Sequence, residues 1–482
     1  MPVKPRIIKY LGIIVISCLI LGCGQVSDDI TYTTKSDKAL QLFLDGVEKT
    51  DNFYNDEARA LFGKAVELDP EFAMAHFYWA ITSVTQDDFQ SRLSRAVELI
   101  DKASEPEKLL ILSRKAANDD SIGLSLEYLK RLVEICPKGK RAHLTLGVFY
   151  FGQQEWELAI EEMNIVTSLD PNFAPVYNML GYAYANIKKY PEAISALKKY
   201  SELRPEDPNP HDSMGEIFLL IGDYDNSLKH YSISLKLESD YVPSNAGIGH
   251  NYVFMGDFDK ARLAYDEIFI NARNIADTNT AYFWKSISYI YQEQNDKAIE
   301  VQKEHLEHAK ILTDIYTQAL IHGRMAAIYR EMGNFDMALQ ECDNMREIAE
   351  RPDMQPGLRE VYERNYLFTE TIVFSRLGKK DKARAKLDLF KQSAHASKNN
   401  ITLKTYRGLE GVVAYWNKDY NNAIKHLLDS NPLNQYFNYY LGLCYLKTGR
   451  EEDASDMFNE IVASNRNGFL YSFVRSKAAK LL

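Results

Sequence analysis

Residues 143–171 of the chain read HLTLGVFYFGQQEWELAIEEMNIVTSLDP, and residues 177–205 read YNMLGYAYANIKKYPEAISALKKYSELRP. Both stretches carry a large residue, a leucine, a glycine and a tyrosine at the same spacing, 34 residues apart. An alanine and a final proline follow at the same distances in both. Self-similarity at a fixed period of this size indicates a repeat protein.

The glycine of this motif recurs in register. Its four copies, spaced by 34 residues, are Gly147, Gly181, Gly215 and Gly249. The large residue, the leucine, the glycine and the tyrosine stand at i, i+3, i+4 and i+7, so they share one face of a helix. A glycine on that face allows a second helix to approach closely. The small residues that we expect on the second helix are Ala159, Ala193 and Ala261.

The helix-pair rhythm extends beyond these copies in both directions. Downstream of residue 270 the spacing loosens, but Gly442 and Phe458 match the motif again. We therefore predict an all-α superhelical solenoid of about eleven to twelve helix pairs with little β-structure. The expected segments are a signal peptide at 1–22, a lipidated tether at 23–36, a regular array at 37–270, degenerate repeats at 271–405, and C-terminal repeats with a capping helix at 406–482.

The motif resembles the tetratricopeptide repeat (TPR). The resemblance implies a right-handed superhelix in which the first helix of each pair lines a concave groove. It also implies a scaffold that binds a protein or peptide partner there. The residues that we expect to bind the partner in the groove are Phe151, Asn178, Tyr182, Asp212, Glu216, His250 and Phe283.

Two of these groove residues carry like charges one helical turn apart. Asp212 and Glu216 destabilise their helix by about 0.2–0.5 kcal/mol through mutual repulsion. A cationic segment of a partner would relieve this repulsion. A solvated helix face is the alternative interpretation, and for Tyr182 and His250 the alternative is packing between neighbouring repeats.

Composition narrows the classes of partner. The chain has 482 residues and a formal net charge of −10, which argues against non-specific binding of nucleic acid. Its hydrophobic fraction of 46% is that of a globular protein and not of one that spans a membrane many times. Five cysteines are too few for a disulfide framework in a chain of this length.

The first 23 residues resemble a bacterial lipoprotein signal. Basic residues precede an apolar stretch at 11–21, which is short for a membrane-spanning helix. Residues 20–23 read ILGC and resemble a lipobox, which implies diacylation of Cys23 and anchoring by several acyl chains. An ordinary signal peptide or an uncleaved anchor is the alternative. Gly24, in place of an aspartate, favours the outer membrane of the cell envelope.

The sequence carries none of the common catalytic or metal-binding motifs. It contains no phosphate-binding loop, no HExxH helix and no GxSxG turn. His305 and His308 stand beside glutamates, and a solvated helix face explains them better than a metal site. Cys136, Cys342 and Cys444 are isolated, and a buried thiol is the favoured interpretation for Cys342. We predict no enzyme, no cofactor and no metal.

The function that we predict is a non-catalytic, membrane-anchored TPR scaffold at the bacterial cell envelope. Two other classes stay open. A lipoprotein that captures glycans or small ligands would use exposed aromatic side chains, and an enzyme would need acids that only the folded chain brings together.

Overall fold

The computed structural model describes residues 30–52, 54–83, 86–119, 121–354, 356–397 and 399–482. These residues form α-helices and one short 3-10 helix (Ile100–Lys102), with no β-strand in the described part of the chain. The helices of the first seven pairs are α1 (Asp37–Asp51), α2 (Asn55–Leu68), α3 (Ala73–Ile81), α4 (Gln86–Glu98), α5 (Glu105–Asn118), α6 (Ile122–Ile135), α7 (Lys140–Gly152), α8 (Trp156–Leu169), α9 (Ala174–Asn186), α10 (Tyr190–Leu203), α11 (Asn209–Ile221), α12 (Tyr224–Leu237), α13 (Val242–Met255) and α14 (Phe258–Ile270).

The pairs continue to the end of the chain. The remaining helices are α15 (Ile275–Tyr291), α16 (Asn295–Ile311), α17 (Ile315–Met332), α18 (Phe335–Ala349), α19 (Pro356–Arg376), α20 (Lys380–Ser397), α21 (Asn400–Trp416), α22 (Tyr420–Leu428), α23 (Gln435–Lys447), α24 (Glu451–Ala463), α25 (Phe469–Ser472) and α26 (Arg475–Ala479). Helices α1 to α24 form twelve consecutive antiparallel pairs, and each pair packs on the next. The predicted all-α solenoid is confirmed.

In the four pairs from α7–α8 to α13–α14, the second helix packs against the motif glycine of the first helix. A Cβ atom at Gly181 would lie 2.7 Å from Leu197, and one at Gly249 would lie 2.2 Å from Tyr265. At Gly215 the ring of Tyr231 would be 2.9 Å away. At Gly147 the neighbouring atoms are at least 3.3 Å away. The small residues of the second helices, all fully buried, are Ala159, Ala193 and Ala261.

The degenerate repeats also form helix pairs, but other residues replace the motif glycine. In α15, α17 and α19 the slot of the motif glycine holds Ser286, Ala326 and Thr371, which are buried. The helices are also longer, with 15 to 21 residues in α15–α21 against 13 or 14 in α7–α14. The boundary expected after residue 270 coincides with the end of α14, whereas the one expected after residue 405 lies inside α21.

The two ends of the described chain pack against the repeats. Residues 30–36, which the sequence suggests as part of a tether, contact the first repeats: Thr33 donates from its backbone N–H and its hydroxyl to Glu107 at 2.8 and 2.7 Å. At the other end, residues 464–468, named the return segment here, leave α24 without helical structure. They lead into α25, which contacts α15 and α23.

No helix among the described residues combines the length and the apolar character needed to cross a membrane.

We predict that Gly249→Ala destabilises the protein. The added methyl group would overlap the ring of Tyr265, which is fully buried and has little room to move. Overpacking of this kind costs about 1–3 kcal/mol, and the midpoint of urea unfolding measures the loss. Gly152→Ala is the matched control, because no atom lies within 4 Å of the added methyl group. Equal midpoints for the two variants would contradict the packing role of Gly249.

Candidate functional site

The concave groove of the middle repeats contains a cavity of about 510 Å³, named the acidic pocket here. First helices α11, α13 and α15 form one side of the pocket, because residues spaced by three or four positions on each helix face it. Three residues of the return segment form part of the opposite side. The predicted groove residues that line the pocket are Asp212, Glu216 and His250.

The two carboxylates of the pocket are held by hydroxyl groups. Ser244 donates to Asp212 Oδ1 at 2.7 Å, and Tyr182 donates to Glu216 Oε2 at 2.8 Å. Burial raises the pKa of Asp212 to about 7, and the charge of Glu216 adds to this rise while the Ser244 hydrogen bond opposes it. Desolvation of the carboxylate inside the groove also raises the pKa of Glu216, whereas the Tyr182 hydrogen bond and the positive charge of Arg466 lower it. Asp212 therefore ionises as the pH rises through about 7, and the pocket becomes more negative.

His250 is a neutral member of the pocket. Its Nδ1 shares a hydrogen bond of 2.9 Å with the Tyr265 hydroxyl, and its ring meets Trp284 edge to face at 4.2 Å. Burial lowers the pKa of His250 to about 3. Its contacts with Tyr265 in the same pair and Trp284 in the next pair are the neighbour packing that the sequence left open.

The other predicted groove residues lie elsewhere. Tyr182 is half-buried and reaches the pocket only through Glu216. Asn178 is buried. Phe151 packs edge to face on Trp156 at 5.1 Å, within the N-terminal core. Phe283 lines a different cavity, in the degenerate repeats.

Sequence reasoning missed the return segment. Tyr224 donates to Asn465 Oδ1 at 3.2 Å, and Tyr291 donates to Asn467 Oδ1 at 3.1 Å. Arg466 Nη2 donates to Asn186 Oδ1 at 3.2 Å. The only sequence signal is a polar stretch after the last periodic helix, which marks a loop but not its destination.

The histidine and cysteine residues considered as metal ligands or reactive thiols are packed among other residues of the repeats. Among the residues that the structure describes, no group of three or more His, Cys, Asp or Glu side chains could hold a metal ion. The solvated face expected for His305 is wrong, because its side chain is fully buried, stacks on Tyr282 at 4.5 Å and shares a hydrogen bond of 2.7 Å with Asn279. The predicted burial of Cys342 is confirmed, and this burial raises the pKa of its thiol to about 12. Cys136 and Cys444 are buried as well. Cys23 lies outside the described residues.

We predict that Asp212→Asn stabilises the protein at neutral pH. A carboxyl whose pKa is higher in the folded than in the unfolded chain lowers the free energy of unfolding as pH rises from about 4 to about 7. Asparagine cannot ionise, so the variant should match the wild type near pH 4 and exceed it by a few kcal/mol at pH 7.5. Urea unfolding across this range measures the difference.

We predict that Ser244→Ala, unlike Asp212→Asn, increases the loss of stability that ionisation of Asp212 causes. Removing the hydroxyl that favours the charged form raises the pKa of Asp212 further, so the loss of stability should continue to higher pH. An Asp212→Asn variant whose stability follows the wild type at every pH would contradict this account of the pocket.

Comparison with known proteins identifies the repeats. Models of the tetratricopeptide repeat match residues 174–207, which contain α9 and α10, and residues 412–468, which extend from α21 into the return segment. No curated protein matches the sequence.

Solved structures with similar folds are repeat proteins of low identity. A crystal structure of MamA is 21% identical, covering 34% of this chain and 96% of that chain at a TM-score of 0.31. A tetratricopeptide repeat protein from Parabacteroides merdae is 12% identical, with 55% and 99% covered and a TM-score of 0.38. PilF from Pseudomonas aeruginosa is 16% identical, with 50% and 95% covered and a TM-score of 0.30. The two matched segments show that this chain contains tetratricopeptide repeats, and its consecutive helix pairs form an all-α solenoid of the TPR type.

Proposed function

We propose that this chain is a non-catalytic TPR scaffold, anchored to a membrane of the bacterial cell envelope, that binds a protein or peptide partner in its concave groove. TPR proteins are generally scaffolds for protein–protein interaction. The observation that carries the proposal for this chain is that its own return segment already lies in the groove.

The return segment is bound as a peptide would be. The backbone is extended at both of its ends, Ser464 and Gly468. Its three central side chains, Asn465 to Asn467, each hydrogen-bond to a residue of a repeat at least 176 positions away. The groove therefore has the width and the polar groups needed for an extended segment.

The charge of the groove favours a cationic partner. Glu216 is exposed to the solvent of the acidic pocket, and Asp212 lies one turn away from it. Arg466 of the return segment is close enough to lower the pKa of Glu216. A lysine or arginine of a partner entering the remaining space would meet both carboxylates and relieve their repulsion. Because Asp212 ionises near pH 7, this attraction should strengthen as pH rises.

The anchor that we propose is a lipid on Cys23. Seven residue steps separate Cys23 from Ile30, which is buried against the first repeats. An extended chain spans at most about 3.5 Å per residue, so the first repeat would lie within about 25 Å of the membrane surface. Such a short connection would hold the array close to the bilayer. We place it at the outer membrane on the basis of Gly24.

Photo-crosslinking in the bacterial host tests the groove. A photoreactive amino acid replaces Glu216, which faces the acidic pocket, and in the control it replaces Lys130, which is exposed on the second helix α6. We expect a discrete protein adduct from position 216 and none from position 130, with mass spectrometry naming the partner. Tyr182 is less suitable because it does not line the acidic pocket. Equal labelling at both positions, or no protein adduct, would refute the groove assignment.

Metabolic labelling tests the anchor. An alkyne analogue of palmitate should label the wild-type chain, and Cys23→Ser should abolish the label because the acylated thiol is gone. Cys18→Ser is the matched control in the same N-terminal segment and should keep the label. In-gel fluorescence after coupling of the alkyne measures both. Undiminished labelling of Cys23→Ser would exclude this lipidation site.

A further inference from the structure

A second cavity of this chain lies apart from the acidic pocket. It has a volume of about 710 Å³ and is named the arginine cavity here. First helices α17, α19 and α21 each present one face to it, and Phe469 and Leu470 at the start of the C-terminal helices border it as well. No residue lines both this cavity and the acidic pocket.

Arg324 brings an uncompensated positive charge to this cavity. Its guanidinium lies over the ring of Phe283 at 4.3 Å. Its Nη1 atom is buried and has no hydrogen-bond partner among the described residues. Desolvation lowers the pKa of Arg324 to about 10, so the side chain stays protonated at neutral pH. A buried charge without a partner is costly, which favours an anion beside it.

The other two arginines of the cavity have partners. Arg330 is fully buried, pairs with Glu331 at 3.2 Å and donates to Thr369 Oγ1 at 3.2 Å. Arg364 donates to Ser393 at 3.1 Å and lies 3.8 Å from Glu360. Of the three, only Arg324 is without a carboxylate partner in the described part of the chain. Nη2 of Arg330 also has no hydrogen-bond partner among the described residues, and Arg330 shares Glu331 with Lys477, so Arg324 is distinguished by having no carboxylate partner at all.

The remaining lining is largely apolar and aromatic. Leu320 stands one turn before Arg324 and is 38% exposed, although it is an apolar residue. Phe368 and Phe390 belong to the wall formed by the pair α19 and α20, and Phe469 closes the end next to α15. Rings of this kind pack well against an aromatic group.

We propose that the arginine cavity binds a small carboxylate that has an aromatic, apolar body, with the carboxylate on Arg324. The volume falls in the usual range of about 300–1,000 Å³ for small-molecule sites, which are apolar with a few placed polar groups. A guanidinium donates two parallel hydrogen bonds to a carboxylate in a bidentate, charge-assisted geometry. A single uncompensated cation matches a monoanion better than a dianionic phosphate. This site goes beyond the proposed scaffold function and does not depend on it.

Isothermal titration calorimetry tests the proposal with the full-length chain in lipid nanodiscs. The probe is 4-phenylbutanoate, and 4-phenylbutanamide has the same body without the charge. We expect the carboxylate to bind at least tenfold more tightly than the amide at pH 7. Arg324→Gln should weaken the carboxylate at least tenfold. Arg131→Gln, at an exposed arginine of α6 that pairs with Glu134, should leave binding unchanged.

A second variant separates charge from folding. Leu320→Glu places a carboxylate at i and Arg324 at i+4, a spacing that stabilises a helix by about 0.2–0.5 kcal/mol. The new glutamate would occupy Arg324 and repel the ligand, so binding should be lost while the thermal unfolding midpoint is kept. The proposal is overturned if the wild type does not bind 4-phenylbutanoate, if acid and amide bind equally, or if folded Arg324→Gln or Leu320→Glu binds as the wild type does.

Discussion

The regular repeats of the array depend on one contact, in which a large side chain of a second helix lies against a glycine of the first helix, where there is no Cβ atom. Tyr265 against Gly249 and Leu197 against Gly181 are examples. Because this contact sets how closely the two helices approach, its repetition gives every regular pair the same shape, and equal pairs stack with a constant rotation. The first helices then all face the same side. The concave groove is thus a consequence of packing inside each pair. The residues of the first helices that do not take part in this packing line the groove, and they determine its chemistry.

The groove of this chain is acidic near α11 and basic near α17. Around α11 and α13 it presents two carboxylates whose ionisation is opposed by burial, and the arginine of the return segment offsets part of their charge. Around α17 the groove presents an arginine without a carboxylate partner among the described residues. Two regions of opposite charge on one scaffold favour two different ligands. The net charge of −10 gives no indication of this separation, since it sums over both.

The period of 34 residues, together with the looser helix-pair rhythm on either side of it, was enough to predict about eleven to twelve helix pairs, because each pair is held by contacts within about one repeat. The rule that the first helix of each pair lines the groove also pointed to Asp212, Glu216 and His250, which the structure places around one cavity. Phe151 and Phe283 follow the same rule but face other surroundings, since the rule gives a helix face and not the neighbours of that face. The return segment has no periodic pattern, so nothing in the sequence predicts where it binds. Arg324 was equally hidden, because only the folded chain shows that no carboxylate among the described residues faces it.

The return segment also changes how such an array can fold. In an open solenoid every contact is local, so structure can begin in any repeat and spread to its neighbours. Here Arg466 binds Asn186 across 280 positions, and Asn467 binds Tyr291 across 176. These contacts can form only after the last helix pair has been synthesised. The middle repeats can therefore form with their groove open, and the groove is covered only when the C-terminal residues reach it, at the entropic cost of closing a long loop.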